Sequence, residues 1–169
     1  MPAGHMKIAF RHRLPAPPES AWAELQSAPY SEAVAKDGDA DVEVIEDFER
    51  NGARVRRIRV TGRKPLPGFA RAALGTERLS YVQEETSIPG EQKLRWKVVP
   101  DALPDRVVAE GTYELLPDGD GSIRAIDGII DVRIPLVGGR IEKALAEELQ
   151  KSYDRTALFA QRWLTEKTQ

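Results

Sequence analysis

The 169-residue sequence contains no cysteine, which excludes disulfides and thiolate metal centres and leaves the redox compartment open. Histidine is almost as scarce. His5 lies in the opening stretch Met1 to Met6, MPAGHM, which reads as a cloning remnant before a native start at Met6, so His12 stands alone. One histidine without cysteine cannot build the usual zinc clusters, and no metal or cofactor is expected. The sequence also lacks a phosphate-cradling glycine loop after a strand and a GxSxG nucleophile elbow. No apolar run approaches the ~20 residues needed to span a bilayer, and the N-terminus has no apolar signal core, so a cytoplasmic location is expected. With 25 basic against 27 acidic residues, the net charge of -2 offers no global attraction to nucleic acid.

What is present suits one domain over residues 7–166: 41% hydrophobic and 31% charged residues in a chain long enough for a sizeable core. Lys7 to Leu14 alternates as a half-buried strand, with Ile8, Phe10, His12 and Leu14 on one face. Pro15, Pro17 and Pro18 end it, and Pro18 with Glu19 suits the first turn of a helix facing Trp22 and Leu25 inward. A second short helix, Tyr30 to Lys36, stops at Asp37-Gly38.

Asn51-Gly52 is the preferred type I′ turn, so Asp41 to Arg50 and Ala53 to Thr61 form a hairpin. Its register pairs Glu49 with Arg54, Phe48 with Val55, Asp47 with Arg56, Glu46 with Arg57 and Ile45 with Ile58. That register places carboxylates against three arginines of an otherwise acid-free basic stretch, Arg50 to Thr76, favouring a sheet-surface charge ladder over a nucleic-acid surface. The inner face of the hairpin is not assigned by its imperfect alternation.

Gly62 to Gly75 is a long connection with a short helix over Phe69 to Leu74. It reads either as a packed loop or as a lid whose Leu66, Phe69 and Arg71 could touch an anionic membrane surface. Four further strands follow: Leu79 to Ile88, Gln92 to Val99, Val107 to Leu116 and Ser122 to Ile134. The run from Pro117 to Gly121 between the last two lacks calcium-ligand spacing and reads as a tight turn. In the last strand the alternation shifts phase around Gly128, which implies a bulge or bend.

The final stretch, Pro135 to Thr165, is one long amphipathic helix of roughly 25 residues and ~37 Å. Ile141, Leu145, Leu149, Ser152, Thr156, Phe159, Ala160 and Trp163 share one side. Short polar residues, Ser152 and Thr156, occupy the middle of this stripe, as if the helix closed a space instead of filling it. Gly138 and Gly139 would make the corner into the helix, with Leu136 and Val137 covering it.

A strand, two short helices, six antiparallel strands and a long helix give an α+β fold that resembles the helix-grip fold of the START-like superfamily, which includes Bet v 1, polyketide cyclases and lipid-transfer domains. More narrowly, IDVRIPLVGGRIE over Ile130 to Glu142 and the later FAQRWL are similar to the bacterial family catalogued as domain of unknown function 2505. The resemblance implies a curved sheet around the C-terminal helix and a cavity by superfamily analogy. It carries over no catalytic motif.

Strand faces and the helix stripe propose a cavity lined by Phe10, Trp96, Tyr113, Phe159 and Trp163, with His12, Tyr81, Ser152 and Thr156 as its sparse polar groups. The bland alternative is a filled core in which Thr156 and Ser152 bond the carbonyl one turn earlier and His12 is an ordinary buried histidine. Asp127 is a further polar cavity group if the last strand runs without a bulge. The expected function is non-catalytic binding or carriage of a hydrophobic small molecule or lipid. One alternative is a cyclase- or aromatase-like enzyme using His12, Tyr81 or Asp127; another is a partner- or membrane-interaction module acting through residues 62–75. Neither nucleic acid nor an obligate protein partner is expected.

Overall fold

The computed structural model describes residues 5–167. Of the expected remnant, residues 1–4 lie outside the described residues, while Met6 already pairs with Ile130 as the first residue of a strand.

The alternating segments form seven strands: β1 (Met6–Leu14), β2 (Ala40–Arg50), β3 (Ala53–Gly62), β4 (Ser80–Ser87), β5 (Lys93–Pro100), β6 (Val107–Asp118) and β7 (Gly121–Val132). They make one antiparallel sheet in the order β1-β7-β6-β5-β4-β3-β2, with the first strand beside the last. Between β1 and β2 lie α1 (Pro18–Leu25) and α2 (Ala28–Asp37). Pro18 opens α1 at a position that needs no N–H donor, and the Ser27 hydroxyl caps α2 by accepting from the Tyr30 N–H at 3.3 Å. The β3–β4 connection carries α3 (Gly68–Leu74), and α4 (Gly138–Lys167) closes the fold with 30 residues, longer than the periodicity alone implies. This is the expected helix-grip α+β architecture.

Asn51 and Gly52 both have positive φ, as the I′ turn requires, and they set the hairpin pairs from Arg50–Ala53 through Glu46–Arg57 as expected. The expected Ile45–Ile58 pair does not form. A bulge lets Val44 face Ile58 instead and leaves Ile45 exposed at the free edge. No bulge occurs at Gly128, because β7 pairs without interruption with both β1 and β6. Glycine is required there for another reason. A Cβ on Gly128 would stand 2.6 Å from Cζ2 of Trp96, whose indole lies across the strands, and 2.5 Å from the Glu110 carbonyl. Gly111, directly between Trp96 and Gly128, is as tightly confined.

Residues directly opposite in an antiparallel ladder share a face. The face that carries Phe10, Arg124, Tyr113 and Trp96 therefore also carries Glu85, Arg56, Ile58, Val60 and Tyr81. This concave face turns toward α4, since His12 and Arg124 both hydrogen-bond residues of that helix. The helix lies along β1 and β7, the strands at one side of the sheet. Ile8, Trp96, Ile126, Ile130 and Ile141 form one core cluster; Leu14, Leu25, Tyr30, Leu115 and Leu164 form a second beneath α1 and α2.

The corner into α4 is built differently from expectation. Gly138 is the constrained glycine, since a Cβ there would collide with the Val132 carbonyl, whereas Gly139 has open space. The left-handed residue is Leu136, at φ 72°, and it covers nothing because it is fully exposed. Val137 does pack on the core. The buried Glu142 carboxylate ties the corner down by accepting from the Val132 N–H at 2.8 Å.

Candidate functional site

Because α4 covers one side of the sheet, the concave face over β2, β3 and β4 is only partly screened. Every residue of β3 is half-buried, and Val42 and Val44, which face inward with Val60 and Ile58, remain 43% and 47% exposed. The result is a groove between this wing and α4. Its apolar stretch is Val42, Val44, Ile58 and Val60.

The other end of the groove is polar. Asp47 receives two hydrogen bonds from Arg54, at 2.9 and 2.7 Å, and Arg54 also donates to the Gln26 carbonyl at 2.8 Å. Arg56 donates to the Ser31 hydroxyl at 3.0 Å and lies 3.9 Å from Glu85. The arginine ladder thus divides by face. Arg57 sits outward between Glu46 and Glu84 as surface structure, while Arg54 and Arg56 tie the start of α2 to the groove. The hydrogen bond from Arg54 holds the Asp47 carboxyl below its usual range, whereas burial pushes Glu85 upward against the opposing pull of Arg56 and Arg54.

All four tyrosines of the chain converge on this space: Tyr30 from α2, Tyr81 from β4, Tyr113 from β6 and Tyr153 from α4. Burial raises each phenol above its ordinary pKa. Tyr81 and Glu85 raise Tyr153 further, and Arg124 lowers it. Among the described residues, the hydroxyls of Tyr30, Tyr81 and Tyr153 make no hydrogen bond to protein, and none is sealed away from the surface. A half-buried hydroxyl without a protein partner is an unused donor and acceptor.

Beneath α4, Arg124 is 3% exposed. Its guanidinium donates to the Tyr153 carbonyl at 2.7 Å, the Thr156 hydroxyl at 3.2 Å and Nδ1 of His12 at 3.3 Å. It also lies 5.9 Å from the Tyr113 ring centre and 5.8 Å from that of Tyr153. His12 Nε2 is 2.9 Å from Asp154 Oδ1.

The residues expected to line a cavity are distributed among three places. Tyr81 and Tyr113 lie on the concave face of the sheet. Phe10 packs its ring 5.5 Å from Tyr153, and Trp96 is buried with its indole N–H donated to the Thr112 carbonyl, so both belong to the core beneath α4. Phe159 and Trp163 stack at 6.2 Å and, with Tyr30, form an aromatic cluster that Glu24 anchors through the Trp163 indole. Thr156 bonds the Tyr153 carbonyl one turn earlier, as the bland alternative held, and also accepts from Arg124. Ser152 is half-buried without a hydrogen bond. The helix midpoint is therefore not a gap bordered by Ser152 and Thr156, because Tyr153 projects inward between them.

Asp127 is not a cavity group. It lies on the convex face and forms a two-pronged ion pair with Arg11, each contact 3.0 Å. The uninterrupted β7 puts Ser122, Arg124, Ile126 and Ile130 inside and Ile123, Ala125 and Asp127 outside. The 62–75 connection is also less open than its sequence implies: Phe69 packs on the core with Arg140 over its ring at 4.2 Å, Leu66 is half-buried, and Arg71 pairs with Glu77 at 3.5 Å.

Arg124, Glu85, Tyr30 and Tyr153 are absent from the site that the sequence alone proposes. Two shallow depressions lie elsewhere, about 510 Å³ around Gly138, Gly139 and Glu142 and about 470 Å³ on the convex side of Gly111 and Gly128. No group of three or more metal-ligating acids or histidines occurs among the described residues, and no described helix is long and apolar enough to cross a membrane.

The fold is shared with solved structures. A protein of Thermus thermophilus is similar at a TM-score of 0.67 and 16% identity, over 97% of this chain and 100% of that one. The Zhui aromatase/cyclase of a Streptomyces species gives 0.56 and 15%, over 96% and 93%. A START superfamily protein of Mycobacterium smegmatis gives 0.58 and 15%, over 92% and 94%. No curated protein matches in sequence. The START-like helix-grip fold is thus established by architecture, and the family model described as Protein of unknown function (DUF2505) matches residues 9–164; the chain belongs to that family.

Proposed function

We propose that this protein binds and carries a hydrophobic small molecule or lipid in the groove between α4 and the β2–β4 wing. The observation that supports this most is the convergence of all four tyrosines, three with hydroxyls that no protein atom satisfies, beside an apolar wall of valines and isoleucine. Ligand sites combine apolar lining with a few convergent polar groups in this way. Fold relatives that include a START superfamily protein and an aromatase/cyclase are consistent with it.

The test is uptake of the fluorescent apolar probe N-phenyl-1-naphthylamine. Wild-type protein is expected to bind it, and Ile58→Arg, which places a charge on the apolar wall at a half-buried position, is expected to abolish binding while the circular dichroism spectrum is retained. Binding unchanged by Ile58→Arg would overturn the location, and no binding by wild type would overturn the carrier reading.

A second reading is favoured by one feature: Glu85, on the same concave face as Tyr81, has its pKa raised by burial. A carboxyl poised in this way can move protons, as in cyclase- or aromatase-like chemistry. Of the residues first considered for that role, Asp127 points away and His12 is engaged by Arg124 and Asp154. Under this reading Glu85→Gln removes turnover of a polyketone substrate while leaving its binding intact.

A further inference from the structure

Arg124 differs from the other inward-facing arginines. Arg54 and Arg56 stand against Asp47 and Glu85, so their charges are balanced by acids within the groove wall. Arg124 is more deeply buried than either, yet among the described residues no carboxylate lies within ion-pair distance of it. Its hydrogen-bond partners are a carbonyl, a hydroxyl and an imidazole nitrogen, and its Nε is buried without a partner. The nearest route to negative charge runs through His12 to Asp154, whose carboxylate is largely exposed and screened by solvent.

A buried cation without an adjacent anion is costly, and its field extends furthest through low-dielectric surroundings. Here the guanidinium stands beside the Tyr113 and Tyr153 rings. At Tyr113 Arg124 is the leading charge and hydrogen-bond partner, lowering the phenol pKa against the stronger effect of burial, whereas at Tyr153 Tyr81 and Glu85 outweigh it. The Tyr113 hydroxyl is therefore a donor with a positive charge behind it.

We propose that the groove selects ligands bearing a carboxylate on an apolar body, with the carboxylate accepting from the Tyr113 hydroxyl under the field of Arg124 and the body lying along Val42, Val44, Ile58 and Val60. This inference rests on the carrier reading and narrows its ligand class. Charge-assisted hydrogen bonds to a carboxylate are roughly twice as strong as neutral ones, and the ligand supplies the anion that the protein lacks at this point. At Tyr113 the Glu85 carboxylate counts for less than Arg124, so the positive charge prevails there. Arg124 acts here as a positioning and field-setting residue; the contact to the ligand is made by the Tyr113 phenol.

The experiment compares cis-parinaric acid with its methyl ester at neutral pH, alongside N-phenyl-1-naphthylamine, by fluorescence titration. The acid is expected to bind at least about tenfold more tightly than the ester. Arg124→Met, which retains length and apolar packing, is expected to bring the ratio of acid to ester affinity close to one. Tyr113→Phe, a milder substitution, is expected to lower the same ratio and serves if Arg124→Met does not fold. Equal affinity of wild type for acid and ester would overturn the proposal and leave the carrier reading standing. A preference for the acid that survives both substitutions would also overturn it. Failure of wild type to bind any of the three probes would overturn the carrier reading itself.

Discussion

Arg124 donates to Nδ1 of His12 at 3.3 Å, and because a guanidinium can only donate, His12 must carry its proton on Nε2, aimed at Asp154 Oδ1 2.9 Å away. The three residues come from β7, β1 and α4, so one tautomer couples two strands to the helix that covers them. His12→Ala removes an acceptor from a buried cation and is expected to lower stability by about 1–3 kcal/mol. Asp154→Asn, at an exposed position, is expected to cost under ~1 kcal/mol. Urea denaturation of the two variants checks both values and their order.

The tyrosines predict an unusual alkaline titration. Each folded-state phenol has its pKa raised, chiefly by burial, so as pH climbs past ~10 the unfolded chain releases protons that the native state keeps. With fewer protons bound in the unfolded state, stability falls as pH rises through that range and is fully retained below it. No other tyrosine exists to titrate freely. Tyrosinate absorbance should therefore appear together with the loss of circular dichroism, in one cooperative transition; a separate earlier absorbance step would contradict the burial described.

Two glycine positions should respond in opposite ways. Gly128→Ala drives a methyl into the Trp96 ring and the Glu110 carbonyl, so a loss of about 3 kcal/mol or more is expected, with a shift in Trp fluorescence. Gly139→Ala meets nothing within 4 Å and lies inside α4, so it should stabilise by up to ~1 kcal/mol. Thermal denaturation separates the two.

Leu136 adopts φ 72° while fully exposed, so its side chain gains no packing from a conformation that L-residues avoid. Leu136→Asn tolerates that backbone better and should raise stability by about 0.5–1 kcal/mol in the same thermal assay. A fall in melting temperature would show that the leucine is held by something other than its own backbone.

The architecture is legible in the sequence because its strongest signals are local. Asn51-Gly52 sets five of the hairpin pairs, and prolines and glycines mark most boundaries. The register is lost at Ile45, where the edge bulge leaves no trace in an already irregular alternation. The site is less legible. In β7 both faces carry apolar residues, so alternation gives no preference and lets Asp127 fall inside with Ile123 and Ala125. A usable signal does exist. Asp127 and Asp131 share parity, which puts them outward together and sends Arg124 inward with Ile126 and Ile130. The helix stripe misleads for a similar reason: Tyr153 lies at its margin on a helical wheel, yet a long side chain at a margin still reaches the centre.

The position of α4 over β1 and β7 also divides the molecule by resilience. β7 is held by a ladder on each side and the helix above, and the edge strand β1 lies under the same helix, while the β2–β3 ribbon has a free edge and little above it. Local opening follows buried contact, so amide hydrogens of the ribbon should exchange first and those of β7 last. The wing that borders the groove is then the part of the sheet that yields most readily, and under the proposed carriage a guest would enter by its breathing without unfolding of the remainder.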